Sequence, residues 1–143
     1  MPLPSDDISR NKASIIGRCI ARMWEEYQAD PDLKNLTRID ALTLNVERAC
    51  QAAIDLAYHT VAVKKLGMPQ SSSDAFIMLA RHQILTETSA RSMIAMTGFR
   101  NIAIHEYQEL DLGILRAIAV THWKSLVDYC AELGLAVPIP GSD

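Results

Sequence analysis

The stretch that begins at Gly98 contains the residues of this sequence whose types and spacing best suit chemistry. Its polar positions include Arg100, Asn101, His105 and Tyr107, which form the pattern R-N-x-x-x-H-x-Y. Histidine exchanges protons at neutral pH, and arginine keeps its charge and binds phosphate oxygens through paired hydrogen bonds. An apolar helix face does not need so many hydrogen-bonding groups in one place, so we expect the functional site here.

On a helix these four residues form two pairs. Asn101 and His105 are four positions apart and share a face, whereas Arg100 and Tyr107 are seven apart and nearly aligned. Arg100 and His105 diverge by about 140°. They meet if the flexible arginine wraps toward the imidazole, if the helix ends near His105, or if two copies of the stretch face each other across a twofold axis. A purely structural interpretation also stands, in which Asn101 and His105 make helix-end hydrogen bonds and Arg100 pairs with an acid.

Hydrophobic residues recur at three- and four-residue steps and predict five helices that position this stretch. They are expected at residues 5–30, from a capping box at 37–40 to 65, at 74–85, from about 86 into the 100–107 stretch, and from a cap at 111 to 134. The pattern indicates no strand, internal repeat or long linker. We therefore predict an all-α bundle of four long helices and one short helix, in a single domain over residues 1–143 with its core at about 8–133.

The length of 143 residues suffices for one domain with a real hydrophobic core. The three cysteines lie far apart in apolar patterns, which suits a reducing compartment. No apolar run reaches the ~18 residues of a membrane span. The acidic N-terminus does not resemble a signal peptide. These features predict a soluble, cytoplasmic protein without a membrane partner.

The formal net charge of −3 argues against a protein that coats nucleic acid non-specifically, because such a protein needs a basic face. A local basic site remains open, and the candidates to gather around a groove are Arg38, Arg48, Arg81, Arg91, Arg100 and Arg116. The four histidines form no metal-ligand pattern, and no P-loop is present, so we expect neither a metal nor a cofactor. Asp55 and His59, four residues apart, are interpreted as a pair on the helix surface.

The motif resembles the signature of the HEPN superfamily of ribonucleases, and more narrowly that of HepT-type toxins, whose partners are MNT-type nucleotidyltransferase antitoxins. Arg100, Asn101, His105 and Tyr107 match that signature position by position. The flanking sequence is also similar to the family at 46–57, at the junction 67–76 and at the approach to the motif, 96–101. The resemblance covers most of residues 8–133 and implies a HEPN-like helical bundle.

This resemblance implies a metal-independent endoribonuclease in which the RNA 2′-hydroxyl attacks the adjacent phosphorus. His105 would exchange protons with the reacting groups, and Arg100 would bind the non-bridging phosphate oxygens. Asn101 would orient His105 or bond the phosphate, and Tyr107 would bond the substrate or donate to the phosphate. The expected products carry a 2′,3′-cyclic phosphate and a 5′-hydroxyl. One histidine supplies a base or an acid but not both, so we expect a homodimer with the active site at its twofold interface.

The resemblance also implies how the enzyme is controlled. It predicts the toxin of a type II or type VII-like toxin–antitoxin pair, which cleaves messenger or transfer RNA and is inactivated when its nucleotidyltransferase antitoxin transfers AMP to Tyr107. The added phosphate would occupy Arg100 and repel the RNA backbone. Two other functions stay open. One is a non-catalytic HEPN-like module that binds a nucleotide or docks on a nucleotidyltransferase, and the other is an unrelated adaptor whose exposed face binds a partner helix.

Overall fold

A computed structural model describes residues 6–105 and 111–141, and every regular element in these ranges is a helix. The elements are α1 (Asp7–Ala29), α2 (Leu36–Val63), α3 (Ser72–Arg81), α4 (Glu87–His105), α5 (Leu112–Ala117), a π-helical turn (Ile118–His122) and α6 (Trp123–Glu132). The last three follow one another directly and take the place of the predicted fifth helix. The all-α prediction is therefore confirmed.

Side-chain caps decide where the first two helices begin. The Asp6 carboxylate accepts the Ser9 N–H at 2.7 Å and caps α1. In α2 the side-chain oxygen of Asn35 accepts the Arg38 N–H at 3.1 Å. The capping box predicted at 37–40 is therefore wrong, because an asparagine two residues earlier already satisfies the free N–H of the first turn.

The short helix α3 is displaced toward the N-terminus relative to the predicted 74–85. Its cap is Ser71, whose hydroxyl oxygen accepts the Asp74 N–H at 3.0 Å. It ends at Arg81, and Gln83 adopts a left-handed backbone with φ of 60°. A left-handed residue cannot continue a right-handed helix, so the last four predicted residues lie outside α3.

The last helical region is not the continuous helix predicted for 111–134. At the π-helical turn the Trp123 N–H donates to the carbonyl of Ile118, five residues earlier instead of four. The wider turn changes which residues face the core. His122, at the end of the turn, is exposed, and Tyr129, two turns of helix later, is fully buried.

Helix α2 lies at the centre of the packing and contacts α1, α3 and α4. The Tyr129 hydroxyl of α6 donates to the Ala53 carbonyl of α2 at 2.9 Å. The same ring meets Phe76 of α3 edge-on, with ring centroids 5.6 Å apart. All three cysteines are free and buried. None of the described helices combines the length and the apolar character that crossing a membrane requires.

Two polar contacts hold α1 against α2. His59 Nε2 lies 2.8 Å from Asp6 Oδ2, and Lys12 Nζ donates to Asp55 Oδ2 at 3.4 Å. The pair predicted between Asp55 and His59 is therefore wrong. Both side chains leave α2 in the direction of α1 and bond there, which positions the N-terminal half of α1 over α2.

Candidate active site

Helix α4 positions Arg100 by burying the residues that precede it. Met96 and Phe99 are 4% and 5% exposed and anchor this end of α4 in the core. The Cys50 thiol of α2 donates a weak hydrogen bond to the Met96 carbonyl, with 3.4 Å between sulfur and oxygen. The backbone of α4 therefore lies against α2 one turn before Arg100. Arg100 itself is half-buried, and Asn101 is exposed.

The guanidinium of Arg100 bonds the neighbouring residue. Its Nη1 donates to Oδ1 of Asn101 at 3.1 Å. Helical spacing does not predict this contact, because it depends on how the long arginine side chain folds back. In the described ranges the buried Nε–H of Arg100 has no acceptor, and no carboxylate lies within ion-pair distance of its guanidinium. A buried donor without a partner costs about 1–3 kcal/mol, so an acceptor that reached it would bind favourably.

Glu47 of α2 lies within the electrostatic reach of Arg100 and was missed in the sequence. Burial raises the pKa of the Glu47 carboxyl, and the charges of Arg100 and Arg48 oppose that shift. Burial also raises the pKa of the Cys50 thiol to about 12, again against the charge of Arg100. Glu47 and Cys50 are three residues apart on one side of α2, so Arg100 lies over that side. In the sequence, Glu47 could have been noticed as a carboxylate at the edge of the apolar face of α2.

The other two motif residues lie at or beyond the edge of the described chain. His105 is the last residue of α4, and its side chain is not among those described. Tyr107 belongs to residues 106–110, outside the described ranges. Because α4 is helical through His105, Asn101 and His105 occupy one face by register. The proposed pairs Asn101–His105 and Arg100–Tyr107 stay predictions.

The six arginines considered from the sequence do not gather in one groove. Three of them have separate partners: Arg38 bonds Glu26 at 3.2 Å, Arg91 bonds Glu87 at 2.5 Å, and Arg116 donates to the Pro31 carbonyl at 3.5 Å. Arg81 lies with Arg91 in a groove between α3 and α4. Arg48 and Arg100 are the two that act on a common residue, Glu47.

A different set of arginines lines a groove of about 470 Å³ between α1 and α2. Arg18 and Arg22 come from α1, and Arg48 comes from α2. All three are exposed. Cys19 lies buried among them, and their charges oppose the burial that raises the pKa of its thiol. We call Arg18, Arg22 and Arg48 the arginine groove. The sequence did not show it, because it forms only when two helices pack together.

Known proteins resemble this chain over nearly its whole length. Residues 16–133 match the HepT-like family, described as ribonuclease HepT-like. The mRNA nuclease HepT of Shewanella oneidensis is 40% identical over 125 residues, which cover 87% of this chain and 94% of that protein. The tRNA nuclease HepT of Aphanizomenon flos-aquae is 29% identical over 106 residues, which cover 73% of this chain and 72% of that protein.

The fold agrees with the sequence comparison. A solved structure of the tri-AMPylated Shewanella oneidensis HEPN toxin in complex with an MNT antitoxin has a TM-score of 0.86 and 35% identity to this chain. The match covers 91% of this chain and 98% of that chain. The region that matches the family model includes Arg100, Asn101, His105 and Tyr107. The chain belongs to the HepT-like family of ribonucleases.

Proposed function

We propose that this protein is the toxin of a toxin–antitoxin pair and acts in the cytoplasm as a metal-independent endoribonuclease. The observation that carries the proposal is the Arg100 guanidinium, which is half-buried, bonded by Asn101 and unpaired with any carboxylate of the described ranges. It precedes His105 by five residues on α4. A fixed cation and a proton-exchanging side chain are the two groups that the cleavage of a phosphodiester needs. The relatives named as mRNA and tRNA nucleases support an RNA substrate.

Arg100 binds the phosphate that is cleaved. Asn101 holds one end of the guanidinium through Nη1, so the group is oriented before substrate arrives. Negative charge grows on the non-bridging oxygens as the 2′-oxygen attacks, and a fixed guanidinium stabilises that charge more than it stabilises the ground state.

His105 moves the protons. As a base it removes the proton of the RNA 2′-hydroxyl, and the 2′-oxygen forms a bond to the adjacent phosphorus. The bond from phosphorus to the 5′-oxygen breaks, and that oxygen takes a proton from an acid. The products are a 2′,3′-cyclic phosphate and a 5′-hydroxyl end. A second copy of the chain, paired across a twofold axis, supplies the acid from its own His105.

The antitoxin is a nucleotidyltransferase of the MNT type that transfers AMP to Tyr107. The tri-AMPylated relative in complex with an MNT antitoxin supports this part of the proposal. Tyr107 is two residues beyond the last residue of α4 and seven beyond Arg100. A phosphate attached there binds Arg100 in place of RNA and repels the RNA backbone, so the toxin is inactive while modified.

Expression of the wild type beside His105→Ala tests the nuclease. We expect growth arrest and cyclic-phosphate RNA ends with the wild type, with activity kept when purified protein is assayed in EDTA. His105→Ala should lose both effects. His82→Ala is the matched control, because His82 is exposed at the end of α3, away from the motif. Normal cleavage by His105→Ala would refute the assigned role, and loss of activity in EDTA would refute metal independence. If the wild type cleaves no RNA at all, the non-catalytic module becomes the better interpretation.

The modification site is tested with the cognate transferase and labelled ATP. We expect label on the wild type and none on Tyr107→Phe, while Tyr58→Phe, which changes a half-exposed tyrosine of α2, keeps it. Label that persists on the same peptide of the Tyr107→Phe variant would refute Tyr107 as the residue that receives AMP.

A further inference from the structure

The arginine groove brings three arginines together without an acidic partner in the described part of the chain. Among the described residues, Arg10, Arg38 and Arg91 each bond a carboxylate. None of the three groove arginines forms an ion pair within the same ranges. In a protein with a net charge of −3, three exposed cations without carboxylate partners form a local positive surface.

The geometry of the groove concentrates that positive charge. Arg18 and Arg22 are four residues apart, so they lie on one face of α1 and repel each other. Arg48 adds a third charge from α2 across the groove. The charges of all three act on the buried Cys19 between them. Repulsion among like charges is relieved when an anion binds, so this surface favours a ligand with several negative groups.

The composition of the groove favours a phosphate backbone over a protein surface. The remaining lining residues are Ile15, Cys19, Ala21 and Asn45. Arginine is common at protein interfaces as well, but the Trp and Tyr anchors that accompany it there are absent from this lining. Stacking of bases on aromatic rings is absent as well, so contacts here depend on phosphates and carry little sequence preference.

The groove also adjoins the candidate active site. Arg48 and Glu47 are consecutive residues of α2, and the charges of both Arg48 and Arg100 act on the Glu47 carboxyl. A strand whose scissile phosphate lies at Arg100 can therefore continue along α2 toward Arg48 and then across to α1. Arg18 and Arg22 are about 6 Å apart along the helix axis, so they can bind different phosphates.

We propose that Arg18, Arg22 and Arg48 bind the phosphate backbone of the single-stranded RNA substrate beside the cleaved bond. This inference rests on the proposed function, since it places more of the same substrate on the protein. The groove then binds the RNA equally well in the ground state and in the transition state. Loss of the groove should raise KM and leave kcat unchanged, whereas loss of Arg100 should lower kcat.

A salt titration with a 20-nucleotide oligo(dT) tests the groove apart from catalysis, because DNA lacks the 2′-hydroxyl and is not cleaved. Each phosphate contact adds about 0.7 to the slope of log affinity against log salt concentration for a single strand. The triple change R18Q/R22Q/R48Q should therefore lower that slope by about 2. Between 50 and 200 mM salt, the wild type should lose about 20-fold more affinity than the variant.

Two triple variants serve as controls. R18K/R22K/R48K keeps the charges and should keep most of the slope. R38Q/R91Q/R116Q removes the same number of charges from other exposed positions and should leave the slope unchanged.

An unchanged slope in R18Q/R22Q/R48Q overturns the inference. Unchanged oligo(dT) binding together with loss of neutralisation by the antitoxin also overturns it and assigns the groove to a protein contact. A wild type that binds oligo(dT) through the groove but cleaves no RNA would refute the proposed function and leave the phosphate site in place.

Discussion

Arg100 is held in place from two sides, which gives a single residue more influence than its charge alone. Behind it, Phe99 and Met96 fix the end of α4 in the core. In front, Asn101 bonds one guanidinium nitrogen. This orientation matters because the planar guanidinium binds two oxygens in a fixed geometry. Lysine carries the same charge, but as a point at the end of a flexible side chain. Geometry and charge therefore make separable contributions at this position.

The substitution Arg100→Lys separates the contribution of geometry from that of charge. We expect kcat for RNA cleavage to fall about 100-fold or more, because the ammonium keeps the charge but cannot hold two phosphate oxygens in a fixed orientation. Single-turnover cleavage of a defined RNA measures the effect. Arg91→Lys, at an exposed position on the same helix, should stay at the wild-type rate. Equal rates in both variants would show that charge alone suffices.

Glu47 makes a prediction about stability against pH. Burial raises the pKa of this acid, so its ionised form is disfavoured by folding. The stability associated with the protonated form is fully present below the unfolded pKa of 4.5 and is lost as pH rises through the folded pKa. Glu47→Gln removes this half-buried charge. Its melting temperature should therefore exceed that of the wild type at pH 7, and the difference should shrink as the pH falls toward 4.5. A difference that grows as the pH is lowered would contradict the assigned cause.

At the scale of the elements, helix α1 depends on a capping residue, Asp6, that also bonds α2. Asp6 accepts the Ser9 N–H and bonds His59 of α2, and these two contacts, with the backbone one first, lower the pKa of Asp6 to about 2. One carboxylate thus starts α1 and joins it to α2. The groove arginines of α1 depend on that placement.

Asp6→Ala should lower the melting temperature at neutral pH. For a depressed pKa, the contribution is fully present above the unfolded value of 3.8 and is lost as pH falls through about 2. The melting temperatures of wild type and variant should therefore converge between pH 4 and 2. Thermal denaturation followed by circular dichroism measures this, with Asp7→Ala, an exposed acid of the same turn, as the control. A constant difference across that range would mean that the ionised carboxylate is not what stabilises α1.

The elements also mark how far sequence reasoning reaches. Helices were predictable because apolar residues recur at helical steps, and the motif was predictable because its polar residues interrupt that pattern. Helix ends were less predictable. Asn35 and Thr37 are both acceptable N-caps for α2, and the structure uses Asn35. The π-helical turn leaves the sequence pattern unbroken while it exposes His122. Glu47 and the arginine groove were not predictable, because each depends on which sides of two helices meet.

The whole molecule combines an acidic net charge with local positive charge at Arg100 and at the arginine groove, where no ion pair forms within the described ranges. The overall charge limits non-specific binding to nucleic acid, and the local charge allows binding at one surface. A single chain nevertheless offers one His105, and that residue diverges from Arg100 by about 140° on α4. We therefore propose that, in the homodimer, Arg100 of one copy lies near His105 of the other.

Mixing two inactive variants tests that arrangement. Arg100→Ala lacks the phosphate-binding group and His105→Ala lacks the proton-exchanging group, so each homodimer should be inactive. In a mixed dimer, one of the two shared sites receives the intact Arg100 of one copy and the intact His105 of the other. After subunit exchange at equal concentrations, half of the dimers are mixed and half of their sites hold both Arg100 and His105, so at most about one quarter of wild-type cleavage should return. The mixed dimer lacks the second His105 that the proposed mechanism uses as the acid, so the recovery should be smaller than this limit but still above that of either parent. A mixture as inactive as its parents, despite exchange verified by differently tagged copies, would place Arg100 and His105 of each site on the same chain.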